Sequence, residues 1–292
     1  MDQQKRRSLL CVLVLAVCVA VLGSCIHPIP GDFYTTAFDE PSAEATVPQQ
    51  TTPEITTPAE TTPQETTTDQ NTDSPPPPPK IKIYIDQGHN PFSPTHPPSW
   101  NTGAANEQLG LYEQDLTYEI GMLLAELLSS DERFEVRLSR PTPETILGTY
   151  NGSVSEANDS ALDARTNDAA LWGADYFISL HTNSYTDPSV NGLEVYTATG
   201  DEEGYILGDG ILNELLESTD LRDRGMRNGD HLRVLKNATM PAVLVEMGYL
   251  SNIDDAKLLD EFPELFAQGV YNGIQAYFGN FEATAVDTVT EQ

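Results

Sequence analysis

Three short apolar runs, each stopped by a residue able to bind a metal or move a proton, constrain this chain more than any other feature. Ile81–Ile85 leads through Asp86-Gln87-Gly88 into His89, Tyr176–Leu180 into His181, and Ala242–Val245 into Glu246. β-Branched and aromatic residues dominate the runs, which read as strands. Ala242–Val245 is apolar throughout, as a strand buried on both faces should be. Phe134–Leu138 and Leu193–Tyr196 add further strands. Between the strands the apolar spacing is helical. Leu116, Ile120, Leu123, Leu124 and Leu127 form one stripe, and helices are expected over about Leu162–Trp172, Glu203–Glu217 and Glu264–Tyr277. The segments from Asn90 to about Leu111 and from Pro141 to about Ser160 read as loops. Alternating strands and helices predict an α/β layered sheet, substantially parallel.

Sites in open α/β sheets form outside the carboxyl ends of the strands. If these strands are parallel neighbours, His89, His181 and Glu246 converge on one edge. Cys11, Cys18 and Cys25 are the only cysteines and all precede residue 26. The folded part therefore has no disulfide, and a metal site there must use imidazoles and carboxylates. Two imidazoles suggest a zinc site built from a pair of histidines and one carboxylate. Glu113, just ahead of the Leu116 stripe, is the best candidate for the third ligand. An acidic residue at a helix start is also what the helix dipole favours on a surface, so position alone leaves Glu113 open. Asp86 is a candidate partner for a ligand imidazole. Asn183 either orients His181 or forms a turn. His96 and His231 read as surface or half-buried histidines, and Asn252 as a turn residue.

The first residues read as an address. Lys5, Arg6 and Arg7 precede the apolar run Leu9–Leu22, which is short for a membrane span and suits a signal peptide. It ends in Leu22-Gly23-Ser24-Cys25, which looks like the lipobox of bacterial lipoproteins. The expected organisation is a lipoprotein signal peptide over 1–24, a lipidated Cys25 with a disordered Thr/Pro-rich tether over 25–79, a catalytic domain over 80–280 and a disordered tail over 281–292. His27 belongs to the tether. Its Thr-Thr-Pro units and the run Pro75–Pro79 favour extended chain, with a reach of roughly 150 Å at about 3.1 Å per residue. Such a tether carries a domain from a membrane into an overlying wall.

Four stretches, IYIDQGHN around His89, LGLYEQDLTYEI around Glu113, ADYFISLHTNS around His181 and MPAVLVEMGYLSN around Glu246, resemble the zinc-dependent N-acetylmuramoyl-L-alanine amidases of bacterial cell walls. Order and spacing agree across nearly all of Ile81 to Phe278. The resemblance implies zinc ligands His89, Glu113 and His181, a catalytic carboxylate at Glu246, and a recurrent family position at Arg165. It also implies the fold: α/β, a single domain with a twisted, mostly parallel mixed sheet flanked by helices on both faces. The implied activity is hydrolysis of the amide between N-acetylmuramic acid and L-alanine of peptidoglycan. Separately, the lipobox-like Leu22–Cys25 leads to the expectation of a monomer anchored through Cys25 to the outer face of the membrane. Gln87 stands where the family usually has Pro, and Asn90-Pro91 where small residues are usual.

Two other readings share these residues. An inactive peptidoglycan-binding module of the same fold predicts loss of a ligand or of Glu246, and all four residues are present. A zinc peptidase acting on stem-peptide bonds predicts His-x-x-Glu, which neither His89 nor His181 begins. The net charge of −30, from 45 acidic against 15 basic residues, disfavours nucleic acid as a partner.

Overall fold

The computed structural model describes residues 78–290 apart from residues 95, 98 and 99, with side chains described up to residue 279. The expected signal peptide, Cys25, His27 and the tether up to residue 77 lie outside these residues. The elements are β1 (Ile81–Gln87), β2 (Ala105–Asn106), β3 (Leu111–Tyr112), α1 (Glu113–Ser129), β4 (Phe134–Leu138), α2 (Val154–Trp172), β5 (Tyr176–Asn183), β6 (Leu193–Thr197), α3 (Glu202–Thr219), β7 (Asp223–Asn228), α4 (Arg233–Asn237), β8 (Ala242–Tyr249), α5 (Ile253–Glu261) and α6 (Pro263–Thr290).

The main sheet has the order β4-β1-β5-β8-β6-β7. β1 runs parallel to β4 and β5, β5 parallel to β8, and β6 parallel to β7. Only the β6–β8 seam is antiparallel, so the sheet is mixed and mostly parallel, as expected. β2 and β3 form a small separate hairpin in front of α1.

Alternation along the strands sorts side chains onto two faces. Ile83, Ile85, Ile178, Leu180, Leu193, Val195, Val243 and Val245 pack against the stripes of α1, α3 and α6. Tyr84, Phe177, Ala242 and Leu244 take the opposite face, with Ala169 of α2 and Val234 and Leu235 of α4. Further along the same strands this second face turns polar. The period of two puts Asp86, Ser179, His181, Glu246 and Glu194 there, at the carboxyl edge of β1, β5 and β8.

Several elements escape the expected map. α2 begins at Val154 rather than Leu162, so the preceding loop is shorter than expected. Ser153 caps it, accepting from the Glu156 amide, and Ser153-Val154-Ser155-Glu156 has the spacing of a capping box. β7 is a polar edge strand broken by Gly225 and shows no apolar alternation. α5 is capped by Asn252, whose side chain accepts from the amides of Asp254 and Asp255, so Asn252 starts a helix. The backbone of α6 stays helical to Thr290, where a frayed tail after Asn280 was expected; no glycine or proline follows Gly279 to stop it. None of the described helices is long and apolar enough to cross a membrane.

α3 and α6 approach closely because Gly269 and Gly273 present no side chain. A Cβ at 273 would collide with the backbone of Ile211. We expect Gly273→Leu to destabilise the domain by about 1–3 kcal/mol through forced separation of the helices, measured by urea unfolding.

Candidate metal centre

β1 and β5 lie side by side, with Gln87 opposite Leu180, so their polar ends emerge together. His89 follows β1 after Gly88 and adopts a left-handed backbone with φ of 65°. His181 lies near the end of β5. Glu113 is the first residue of α1 and is buried, its side chain 4% exposed. Its Oε1 sits 3.1 Å from His89 Nε2 and 3.1 Å from His181 Nδ1. The two imidazoles stand edge to face, with centroids 4.8 Å apart. Glu113 therefore faces the sheet edge and the two imidazoles rather than solvent.

The carboxylate of Glu113 is held from behind. The Ala104 amide donates to Oε2 at 2.7 Å and the Thr182 amide to Oε1 at 2.9 Å. Burial pushes this carboxyl up, but the charges and hydrogen bonds of His89 and His181 outweigh it and hold it well below the usual range. Two glycines admit this crowding. A Cβ on Gly88 would lie 2.7 Å from His181 Cε1, and one on Gly103, at φ of 77°, would lie 2.6 Å from both Glu113 and the His89 ring.

One donor atom from each of His89, Glu113 and His181 lies within 4.8 Å of the others. Nitrogen and carboxylate donors without a thiolate suit a first-row divalent metal. His89 Nδ1 and Glu246 Oε2 are buried with no hydrogen-bond partner, as polar atoms bordering an ion or substrate site would be. The residues present fit a metal ion.

Arg165 explains the unusual backbone at His89. It is 1% exposed and reaches from α2 to Asp86 Oδ1 at 2.5 Å, to the Gln87 carbonyl at 2.7 Å and to the His89 carbonyl at 2.6 Å. Asp86 also accepts from the Ser179 hydroxyl at 2.7 Å. Burial pushes the Asp86 carboxyl up, but Arg165, then His181 and Ser179, outweigh it and hold it below its ordinary range. Asp86 thus supports the site through Arg165 and makes no hydrogen bond to a ligand imidazole. Gln87 contributes through its amide, which donates to Ser139 Oγ at 3.0 Å, while its side chain bridges Tyr118 and Arg140. A proline there would lose the first of these bonds. Asn90 ties its loop to the segment before α2, pairing with both backbone groups of Leu147 at 3.0 Å.

Glu246 stands opposite His181 across β5–β8 and opposite Glu194 across β6–β8. Burial, then the Glu113 and Glu194 carboxylates, push its carboxyl well up. Sequence reasoning missed Glu194, which is 4% exposed and accepts from Tyr196 at 2.6 Å, Tyr249 at 3.0 Å and Arg224 at 2.5 Å. A lone Glu inside Leu-Glu-Val-Tyr-Thr was the available signal, but its meaning depends on which strand lies beside β6. Asn183 closes β5, and its side chain accepts from the Ser184 amide. His96 contacts Ser93 and packs on Trp100, and His231 lies against Tyr196. Neither belongs to the His89–Glu113–His181 group.

We expect Arg165→Lys to weaken metal affinity about 10- to 100-fold, read by competition with a chelator, because one ammonium cannot span Asp86 and both carbonyls. The Asp86 carboxyl is held low in the folded chain, so its contribution to stability is complete above about pH 4 and is lost as the pH falls through the folded value. The gap in urea midpoint between the wild type and Asp86→Asn should accordingly shrink from about pH 6 to about pH 3.

A family model described as N-acetylmuramoyl-L-alanine amidase matches residues 83–276. The chain is 32% identical over 206 residues to the N-acetylmuramoyl-L-alanine amidase CwlM of Bacillus licheniformis, covering 68% of this chain and 69% of that one. It is similar to the CwlD amidase of Clostridioides difficile, solved in complex with the GerS lipoprotein, at 26% identity and a TM-score of 0.61, covering 68% of this chain and 99% of that one. The catalytic domain of CwlV, the amidase of Bacillus (Paenibacillus) polymyxa var. colistinus, matches at 28% identity and a TM-score of 0.57, with 68% and 98% covered. The matched span runs from β1 into α6 and contains every residue of the centre, and the chain belongs to the N-acetylmuramoyl-L-alanine amidase family.

Proposed function

We propose that this chain is a cell-wall hydrolase cleaving the amide between the lactyl group of N-acetylmuramic acid and L-alanine of the stem peptide. His89, Glu113 and His181 hold a zinc ion, and Glu246 carries the proton. The observation that supports this most directly is the placement of a buried, unpartnered carboxylate oxygen on Glu246 directly across the strand pair from His181. A zinc ion bound at such a centre supplies Lewis-acid polarisation of water and of the scissile carbonyl.

The residues of the chain do the rest. Glu113, fixed by the Ala104 and Thr182 amides, orients both imidazoles. Arg165 fixes the His89 backbone and so the direction of its ring. Glu246 Oε2 takes a proton from the attacking water and returns it to the departing amine of L-alanine.

We also propose that Cys25, following Leu22-Gly23-Ser24, carries the lipid, and that the Thr/Pro-rich tether delivers a monomeric domain from the outer membrane face into the wall.

Glu246→Gln should bind zinc at the wild-type level, by metal analysis, while turnover falls about 10²- to 10⁴-fold. Digestion of peptidoglycan by the wild type should release peptides with new L-alanine amino termini. Termini elsewhere in the stem would overturn the choice of bond. Cys25→Ser should move the protein from the membrane fraction to the soluble fraction.

A further inference from the structure

We propose that Arg224 and Arg227 on β7 form a receiving patch for a free carboxylate of the stem peptide, which makes the enzyme select stems bearing that carboxylate over their carboxamide counterparts. The inference rests on the amidase reading and deepens it.

Glu194 links this patch to the reactive edge. Its Cα is the register partner of Glu246 across β6–β8, and opposite residues of an antiparallel pair project to the same face. Arg224 donates from Nε to Glu194 Oε1 at 2.5 Å, and its guanidinium lies 5.1 Å from the centre of the Tyr249 ring. Arg227 reaches only to 3.6 Å from the same oxygen and makes no hydrogen bond among the described residues. Its register partner is Tyr196, next along β6 from Val195, which pairs with Met226. Two cations thus share one carboxylate.

Other arginines show how a closed fork looks here. Arg137 meets Asp168 through Nε and Nη2, and Arg233 meets Asp163 in the same way. Arg165 commits both Nη atoms, to Asp86 and two carbonyls. The Arg227 fork is uncommitted, and its side chain is 44% exposed. A planar guanidinium with free parallel donors matches a carboxylate in both shape and charge. The chain carries a net charge of −30, which repels an anionic peptide at long range, so a local cation beside the reactive edge is where such a peptide gains most. Across the β6–β8 seam from Glu246 stands Glu194, and the guanidiniums of Arg224 and Arg227 both reach it from β7.

The test uses the full chain carrying Glu246→Gln, loaded with zinc, and two muramoyl peptides that differ only in a carboxylate replaced by its carboxamide. Calorimetry should show the carboxylate form binding about tenfold more tightly, with a preference that shrinks as salt is raised. Adding Arg227→Gln should bring the ratio of the two affinities close to one, and Arg227→Lys should restore part of it. Equal binding of the two peptides, or a preference that survives Arg227→Gln, overturns the patch and leaves the amidase reading standing. If neither peptide binds, both readings fall.

Discussion

The buried ion pair between Arg165 and Asp86 is the interaction on which the site depends. It joins a helix on one face of the sheet to a strand in its middle, and the same guanidinium holds the carbonyls on either side of Gly88. Removing one partner of such a pair typically costs about 3–5 kcal/mol, because the other charge stays buried and uncompensated. The pair also holds His89 in the left-handed region, which a side-chain-bearing residue enters only under constraint. Binding geometry is thus written into the backbone before any ligand arrives.

The second organising device is the change of character along one face of the sheet. Tyr84, Phe177 and Leu244 are apolar, and two positions further on stand Asp86, Ser179 and Glu246. A single strand period therefore separates a packed core from a polar edge. The rigidity of that core fixes strands whose ends must agree to within a fraction of an ångström. The two carboxylates Glu246 and Glu194 illustrate the benefit. Side by side on neighbouring strands, Glu194 is ringed by tyrosines and arginines and held ionised, while Glu246 keeps a buried oxygen without a partner and its carboxyl is pushed up.

Much of this was legible in the sequence, for physical reasons that differ by element. β1, β5 and β8 declare themselves through β-branched apolar runs, and each run's sudden end at a polar residue marks the edge where His89, Glu113 and His181 come together. α1 and α6 follow from their apolar stripes. β7 was not legible, because an edge strand with polar residues and a glycine carries no alternation to read. The start of α2 was missed because its first turns carry few large apolar groups, although Ser153 and Glu156 mark its cap. Glu113 could be nominated but not fixed by position, since the dipole argument and the ligand argument favour the same residue type. Glu194, Arg224 and Arg227 acquire meaning only once β6 and β7 are known to lie next to β8, and that pairing is a long-range property.

The polar character that hid β7 has a consequence at the other scale of the molecule. Both outer strands of the sheet are charged, β4 with Glu135 and Arg137 and β7 with Asp223, Arg224 and Arg227. A second molecule trying to extend the sheet by hydrogen bonding to either rim would have to dehydrate those groups, and at β7 it would also meet the kink at Gly225. Crowded together on one surface, neighbouring copies would find no rim on which a shared ribbon could begin.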